Sequence, residues 1–333
     1  MSERKKTSFL SRRAFLAGAA AAGITAALPL SPAFAARGGY QQTALLMGTI
    51  VRIDIAGAPQ SAAEDAAAAA FARARALEGV LTRFDSSAPL GVLNAQGSLA
   101  DMPGELRDLL NQSGEIYRLT KGSFDPSILP VLQGLQRGGT EGGRLSKAEL
   151  AELFGLVDYS RVRMDSGVRL ESGMALTLDG IAKGRIAQEM SRELDRLGCP
   201  NHIVNAGGDI IARGCPERGG VWRIGVRSPF DAGSMETVVP LTDRALATSG
   251  VYEQPLKGGG GSHLVVPANF ESRPEAVSAS VLARDGALAD ALATAFSVMS
   301  PAAAAKACRR MDGVECMLVL RSGAVVKSEG WPA

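Results

Sequence analysis

The chain has 333 residues, with 36 Lys and Arg against 34 Asp and Glu for a formal net charge of +2, and 46% of its residues are hydrophobic. That length buries a full core in one large domain or two small ones. The near-neutral balance and 5% aromatic content argue against nucleic-acid binding, and two histidines in the whole chain argue against a His-built zinc site.

Residues 1–35 read as an export signal. They have a basic start at Arg4, Lys5 and Lys6, an apolar stretch from Ala14 to Leu30, and the small-residue cleavage site Ala33-Phe34-Ala35. Ser11-Arg12-Arg13-Ala14-Phe15-Leu16 resembles the twin-arginine signature, the alternative being an ordinary secretory signal that contains Arg-Arg. Export to the periplasm is expected by either route. Removing the segment takes away five basic groups and Glu3, leaving 31 bases against 33 acids, so the slight basicity belongs to the signal. Its apolar stretch is rich in Ala and Gly and falls short of the ~20 strongly apolar residues of a spanning helix, so no membrane span is expected after processing. Cys199, Cys215, Cys308 and Cys316 either pair in one of three ways or stay as thiols.

Residues 40–330 read as one domain. Leu45 to Ile55 alternates apolar and polar from Thr49 onward, the pattern of a half-buried strand. An Ala-rich helix is predicted from about Ser61 to Leu81, with Ser61 near its N-cap and Phe71, Leu77 and Leu81 on its apolar side. A loop from Arg83 to Asn94 and a helix from about Glu105 to Thr120 follow. Gly134 to Gly143 reads as a glycine-rich loop, Lys147 to Phe154 as a short helix, and Arg163 to Leu170 and Ala175 to Leu178 as strands. A helix from about Ile181 to Leu197 comes next, then strands at His202 to Asn205, Trp222 to Val226, Val238 to Leu241 and Leu246 to Ser249, and a helix from Ala287 to Met299. The order implies an α+β sandwich with a mainly antiparallel sheet and packed helices, not a regular βαβ series.

Four segments carry candidate chemistry. Leu178-Asp179-Gly180-Ile181-Ala182-Lys183-Gly184 opens a helix, whose free N–H groups and dipole suit a phosphate beside the Lys183 cation; an ordinary turn into a helix looks the same. Asn205-Ala206-Gly207-Gly208-Asp209 ends a strand, where glycines permit close approach to a ligand and Asn and Asp can hold a ribose or ring edge; a hairpin turn is the alternative. Asp290 and Thr294 stand four apart on one helical face, offering a carboxylate and a hydroxyl to a hard cation, although most such pairs bind nothing. Gly122-Ser123-Phe124-Asp125-Pro126 is either a flank for a flat ligand or a helix stop.

Together, and in this order, these segments resemble the ApbE family, the FAD:protein FMN transferases. The likeness begins at Met47-Gly48-Thr49 and runs through Phe84-Asp85 to Leu93-Asn94, Gly122 to Pro126, Gly180 to Gly184, Val204 to Asp209, and Ala247-Thr248-Ser249-Gly250 with Tyr252. His263, four residues before Pro267, continues it, and Ala289-Asp290-Ala291-Leu292-Ala293-Thr294-Ala295 ends it.

The resemblance implies a single ApbE-like, T-fold-like domain and Mg²⁺-dependent transfer of FMN from FAD to a Thr or Ser of an acceptor flavoprotein in a respiratory or electron-transfer complex, with release of AMP. Asp290 and Thr294 become metal ligands, completed by main-chain oxygen near Gly180 and Ala182. Asp290 and His263 take the catalytic positions. Met47, Pro89, Leu90, Gly91, Ser123, Phe124, Asp125, Thr177, Asp179, Lys183, Asn205, Gly207, Gly208 and Val266 fall at or beside positions that meet FAD. This chain departs from the family pattern at Thr177, where an acidic FAD contact is common, at Asp179, where a Gly is common, and at Val266, where an Asp usually precedes the Pro. A second reading is a periplasmic FAD-binding protein without turnover, and a third is a binder of a non-flavin ligand.

Overall fold

A computed structural model describes residues 39–140, 145–216, 219–231, 233–250 and 274–332. Residues 1–35, expected to be the export signal, the glycine run 258–261, Tyr252, His263 and Val266 lie outside the described residues.

An eight-stranded sheet forms the centre of the structure. Its strands are β1 (Tyr40–Leu46), β2 (Thr49–Ile55), β6 (His202–Ala206), β7 (Asp209–Arg213), β10 (Arg244–Gly250), β11 (Ala276–Ala283), β12 (Glu315–Leu320) and β13 (Val325–Lys327), side by side in that order. Every neighbouring pair is antiparallel, as expected for an α+β fold without βαβ crossovers. The apolar stretch 45–55 is two strands and not one. Met47 (φ 53°) and Gly48 (φ 67°) both take left-handed backbone, which closes the tight β1–β2 hairpin.

Successive residues on the central strands supply opposite cores. On the helix side lie Val204, Ile211, Ala245, Val281 and Leu318, packed with α1 (Gln60–Leu81), α6 (Ala182–Arg196) and α7 (Gly286–Val298). Ile203, Ile210, Leu246, Leu282 and Met317 face the other way, onto the hairpin of β8 (Trp222–Arg227) and β9 (Met235–Leu241). The strands expected at 222–226 and 238–241 therefore exist, but as a separate two-stranded cover carrying Trp222, Ile224, Val226, Val239 and Leu241. With both faces covered, the strands lose the simple apolar-polar alternation.

The helix layer packs closely because its inner residues are small. Ala63, Ala66, Ala67, Ala70 and Ala74 are buried on α1, along with Phe71, Leu77 and Leu81. Pro59 occupies the N-cap of α1 without a side-chain bond, so Ser61 lies inside the first turn and not at the cap. On α7 nearly every residue is buried, and Asp285 caps its start by accepting from the Leu288 amide at 2.8 Å. The remaining helices are α2 (Pro89–Gln96), α3 (Gly104–Leu119), α4 (Leu129–Thr140), α5 (Lys147–Phe154) and α8 (Pro301–Cys308). Helix α4 runs through Gly134, where a loop was expected. A Cβ there would stand 2.4 Å from Leu153 Cδ1, so this glycine serves close packing of α5 against α4.

A small three-stranded sheet joins β3 (Ser98–Leu99), β5 (Val168–Arg169) and β4 (Arg163–Met164), which breaks the expected strand 163–170 into two short arms. Among the described residues no helix is long and apolar enough to cross a membrane. All four cysteines are free.

Candidate active site

Residues 174–178 lead to the site without joining a sheet, which corrects the strand expected at 175–178. The side chain of Asn94 takes the place of a neighbouring strand. Its Nδ2 donates to Leu176 O at 2.8 Å and its Oδ1 accepts from Leu176 N at 2.7 Å. The Thr177 amide donates to Pro126 O at 2.8 Å, and Thr177 Oγ1 accepts from the Asp179 amide at 3.2 Å. Buried Thr177 thus shapes the turn that leads into α6.

Helices α6 and α7 meet near their N-termini through two glycines. A Cβ on Gly184 would lie 2.1 Å from Gly286 O, and one on Gly286 would lie 2.5 Å from Gly184 O. Only at that separation does the fully buried Asp290 reach across, its Oδ2 accepting from the Gly184 amide at 3.0 Å. Burial, followed by the nearby Asp209 charge, pushes the Asp290 carboxyl up to about 7, against the pull of the Lys183 cation and the Gly184 amide. Lys183 is itself ion-paired with the buried Asp209.

One turn further along α7, the Thr294 hydroxyl faces the start of the turn. A Cβ on Gly180 would stand 2.8 Å from Thr294 Oγ1, so glycine is what lets the main chain close onto this hydroxyl. Ser249 Oγ, from β10, is 3.4 Å from the same oxygen. Among the described residues no group of three His, Cys, Asp or Glu is arranged to hold a metal ion. A cation here would instead draw on one carboxylate, Asp290, the Thr294 hydroxyl and the main chain that closes on that hydroxyl at Gly180. That donor set is all oxygen, and it fits a hard ion such as Mg²⁺ better than a soft one.

The glycine turn at 207–208 is the β6–β7 hairpin, with φ of 68° at Gly207 and 110° at Gly208. Asn205 Oδ1 accepts from the Gly208 amide at 3.0 Å, and a Cβ on Gly207 would sit 2.5 Å from Thr49 Oγ1. This turn delivers Asp209 to Lys183, which joins the second expected segment to the first. Met47 closes the neighbouring β1–β2 hairpin, its amide donating to Glu78 Oε1 at 2.8 Å.

Other expected positions have evident roles in the fold. Pro89 begins α2, Leu90 is in the core, and a Cβ on Gly91 would collide with Asp85 O at 2.0 Å. Phe124 is buried in the main core. Asp125 caps the short turn after it, accepting from Ser127 N at 2.8 Å, Ser127 Oγ at 2.6 Å and Tyr159 N at 3.3 Å, while burial raises its pKa. The Ser123 amide donates to Thr120 O at 3.2 Å.

The structure adds one side chain that the motifs did not single out. Arg83 donates to Asp179 Oδ2 from Nε at 2.9 Å, with Nη2 at 2.8 Å from the same oxygen, and its guanidinium lies 4.0 Å from the centre of the Phe84 ring. Phe84 is 77% exposed, so its ring is open to solvent apart from the guanidinium over it.

Known proteins resemble the chain throughout this region. The family model described as "ApbE family" matches residues 47–318. A Rhodobacter capsulatus protein named FAD:protein FMN transferase is 29% identical over 86% of this chain, which spans 57% of that relative's length. One from Treponema pallidum, of the same name, is 26% identical over 87% of each. The crystal structure of the ApbE protein of Thermotoga maritima matches with a TM-score of 0.78 and 25% identity, covering 87% of this chain and 97% of that one. The flavin transferase ApbE of Vibrio cholerae matches with a TM-score of 0.75 at 20% identity, covering 87% and 98%, a likeness of fold.

Proposed function

Because the chain belongs to the ApbE family, we propose that it transfers the FMN moiety of FAD to a Thr or Ser hydroxyl of an acceptor flavoprotein, releasing AMP. The observation that carries this reading is the convergence of Asp290, Thr294 and Gly180 beside the Lys183–Asp209 pair, all within the matched region. The hydroxyl oxygen attacks the FMN phosphorus while the bond to the bridging pyrophosphate oxygen breaks. AMP leaves with that electron pair, and the hydroxyl proton passes to a base. Such a transfer needs in-line placement and neutralisation of charge on the phosphates.

Mg²⁺ bound at Asp290, Thr294 and the main-chain oxygens of Gly180 and Ala182 would supply that neutralisation. Asp290 is suited to hold it because burial and the Asp209 charge disfavour its carboxylate, which a bound cation would stabilise. Lys183 keeps Asp209 paired at the start of α6, the end of the helix whose dipole favours an anion. His263 takes the role of base through the family likeness. Pro89 to Gly91, Ser123 to Asp125, Met47, Asn205, Gly207 and Gly208 are assigned to the FAD site through the family likeness. The basic start, apolar stretch and Arg12-Arg13 pair of residues 1–35 support export to the periplasm. An acceptor in a respiratory or electron-transfer complex is in keeping with that location.

Incubation of the purified protein with FAD, Mg²⁺ and an acceptor carrying a Ser/Thr-Gly-Ala-Thr-like segment tests the proposal. The expected result is covalent FMN on the acceptor by mass spectrometry and an equal amount of AMP. FAD binding without either product would favour the reading as a binding protein.

A further inference from the structure

Two cations flank the turn that opens α6, and their partners differ in kind. Lys183 is paired with Asp209, whose side chain is 3% exposed, so it cannot leave without stranding a buried charge. Arg83 is paired with Asp179, whose side chain is 46% exposed. An ion pair with one partner in water is weak and readily exchanged. Asp179 also uses a single oxygen, Oδ2, for both Nε and Nη2 of Arg83, which leaves the fork of the guanidinium short of the two-oxygen partner that it matches best.

The placement of Arg83 is otherwise well determined. Its side chain is 13% exposed, and its guanidinium carbon lies over the Phe84 ring, 4.0 Å from the centre. Asp179 immediately precedes Gly180, the residue whose main chain closes on Thr294. Arg83 is therefore a held, planar, doubly donating cation whose partner, Asp179, is one residue from the candidate cation site.

We propose that Arg83 positions the anionic pyrophosphate of FAD at the turn opening α6, and that Asp179 is the counter-ion the phosphate displaces. The proposal rests on the flavin-transferase reading and assigns within it a positioning residue for the substrate's phosphates. It makes a prediction opposite to that of a purely structural strap. If the pair only ties the loop to the turn, loss of either partner weakens the site alike. If Arg83 serves the phosphate, loss of Asp179 removes both a competitor and a repelling charge.

The test is FAD affinity in Mg²⁺, read from quenching of flavin fluorescence, for the full chain and for Arg83→Ala, Arg83→Lys and Asp179→Asn, with melting curves without FAD as a check on folding. Arg83→Ala is expected to raise the FAD Kd about tenfold or more, the loss of a hydrogen bond to a charged group. Arg83→Lys is expected to recover part of that loss, and Asp179→Asn to bind FAD more tightly than the unmodified chain. In turnover, Arg83→Ala should raise KM for FAD more than it lowers kcat. An unchanged Kd in Arg83→Ala, or a loss in Asp179→Asn matching that in Arg83→Ala, overturns the proposal. Failure of the unmodified chain to bind FAD is a separate outcome that overturns the flavin-transferase reading along with it.

Discussion

The carboxylate of Asp290 and the amide of Gly184 meet across two helices at 3.0 Å, and they do so only because Gly184 and Gly286 bring the helix backbones into contact. The site is thus built on a packing feature as much as on reactive groups.

Gly184→Ala tests that dependence. The added methyl would have to occupy space 2.1 Å from Gly286 O, main-chain atoms with little freedom to move. Overpacking at such a contact is expected to cost about 3 kcal/mol, seen as a lower denaturant midpoint, together with weaker Mg²⁺-dependent FAD binding. A variant as stable as the parent would refute the account of the helix crossing.

Asp290→Asn keeps the shape of the side chain and removes its charge. Turnover with Mg²⁺ is expected to fall on the order of 100-fold or more. Stability should move the other way. With the folded carboxyl pushed up to about 7 and the unfolded one near 3.8, the metal-free protein holds the extra proton between those values. Its stability is present below the lower value and is lost as pH rises towards 7. In EDTA, melting temperatures should show this decline in the parent and a flatter profile in Asp290→Asn. Added Mg²⁺ should restore the parent at pH 8 and leave the variant unchanged.

His202 provides a pH response of opposite sign, away from the site. It is fully buried, with Nδ1 at 2.6 Å from Cys199 O and Nε2 at 2.8 Å from Ser191 Oγ, so a neutral ring donating to Cys199 and accepting from Ser191 satisfies both. Burial lowers its pKa below 6.5. The unfolded chain therefore binds the proton first, and stability declines as pH falls below about 6.5. Comparing melting from pH 7.5 to 5 with that of His202→Gln should show the variant less stable at pH 7.5 but less sensitive to acid. Equal slopes would argue against a neutral buried imidazole.

Asp125→Ala separates architecture from ligand contact. Loss of its bonds to Ser127 and Tyr159 is expected to cost about 1–2 kcal/mol of stability. If melting stays unchanged while the KM for FAD rises, Asp125 serves the nucleotide directly and not the turn.

Much of this fold is legible in the sequence where a pattern is long. Helices α1, α3, α6 and α7 agree with the expected boundaries to within about two residues because each carries several turns of buried apolar side chains. Short patterns misled where another group supplied the partner. Ala175 to Leu178 looks like a strand, yet its hydrogen bonds go to Asn94 and Pro126. Gly134 looks like a loop, yet its missing side chain makes room for Leu153. The motifs identify the elements of the site through their order, but they do not identify the electrostatic pairs. Arg83 and Asp179 are 96 residues apart and Lys183 and Asp209 are 26 apart, so both pairs exist only after the helices and hairpins have packed.

The tether at Asn94 has a mechanical consequence. A strand locked into the sheet would transmit every strain of that sheet to the turn before α6. Residues 174–178 instead hang from one carboxamide and one carbonyl. Leu176 and Leu178 anchor the segment in the core, so its main-chain register before α6 is set by the side chain at position 94 and by packing, and not by a strand ladder.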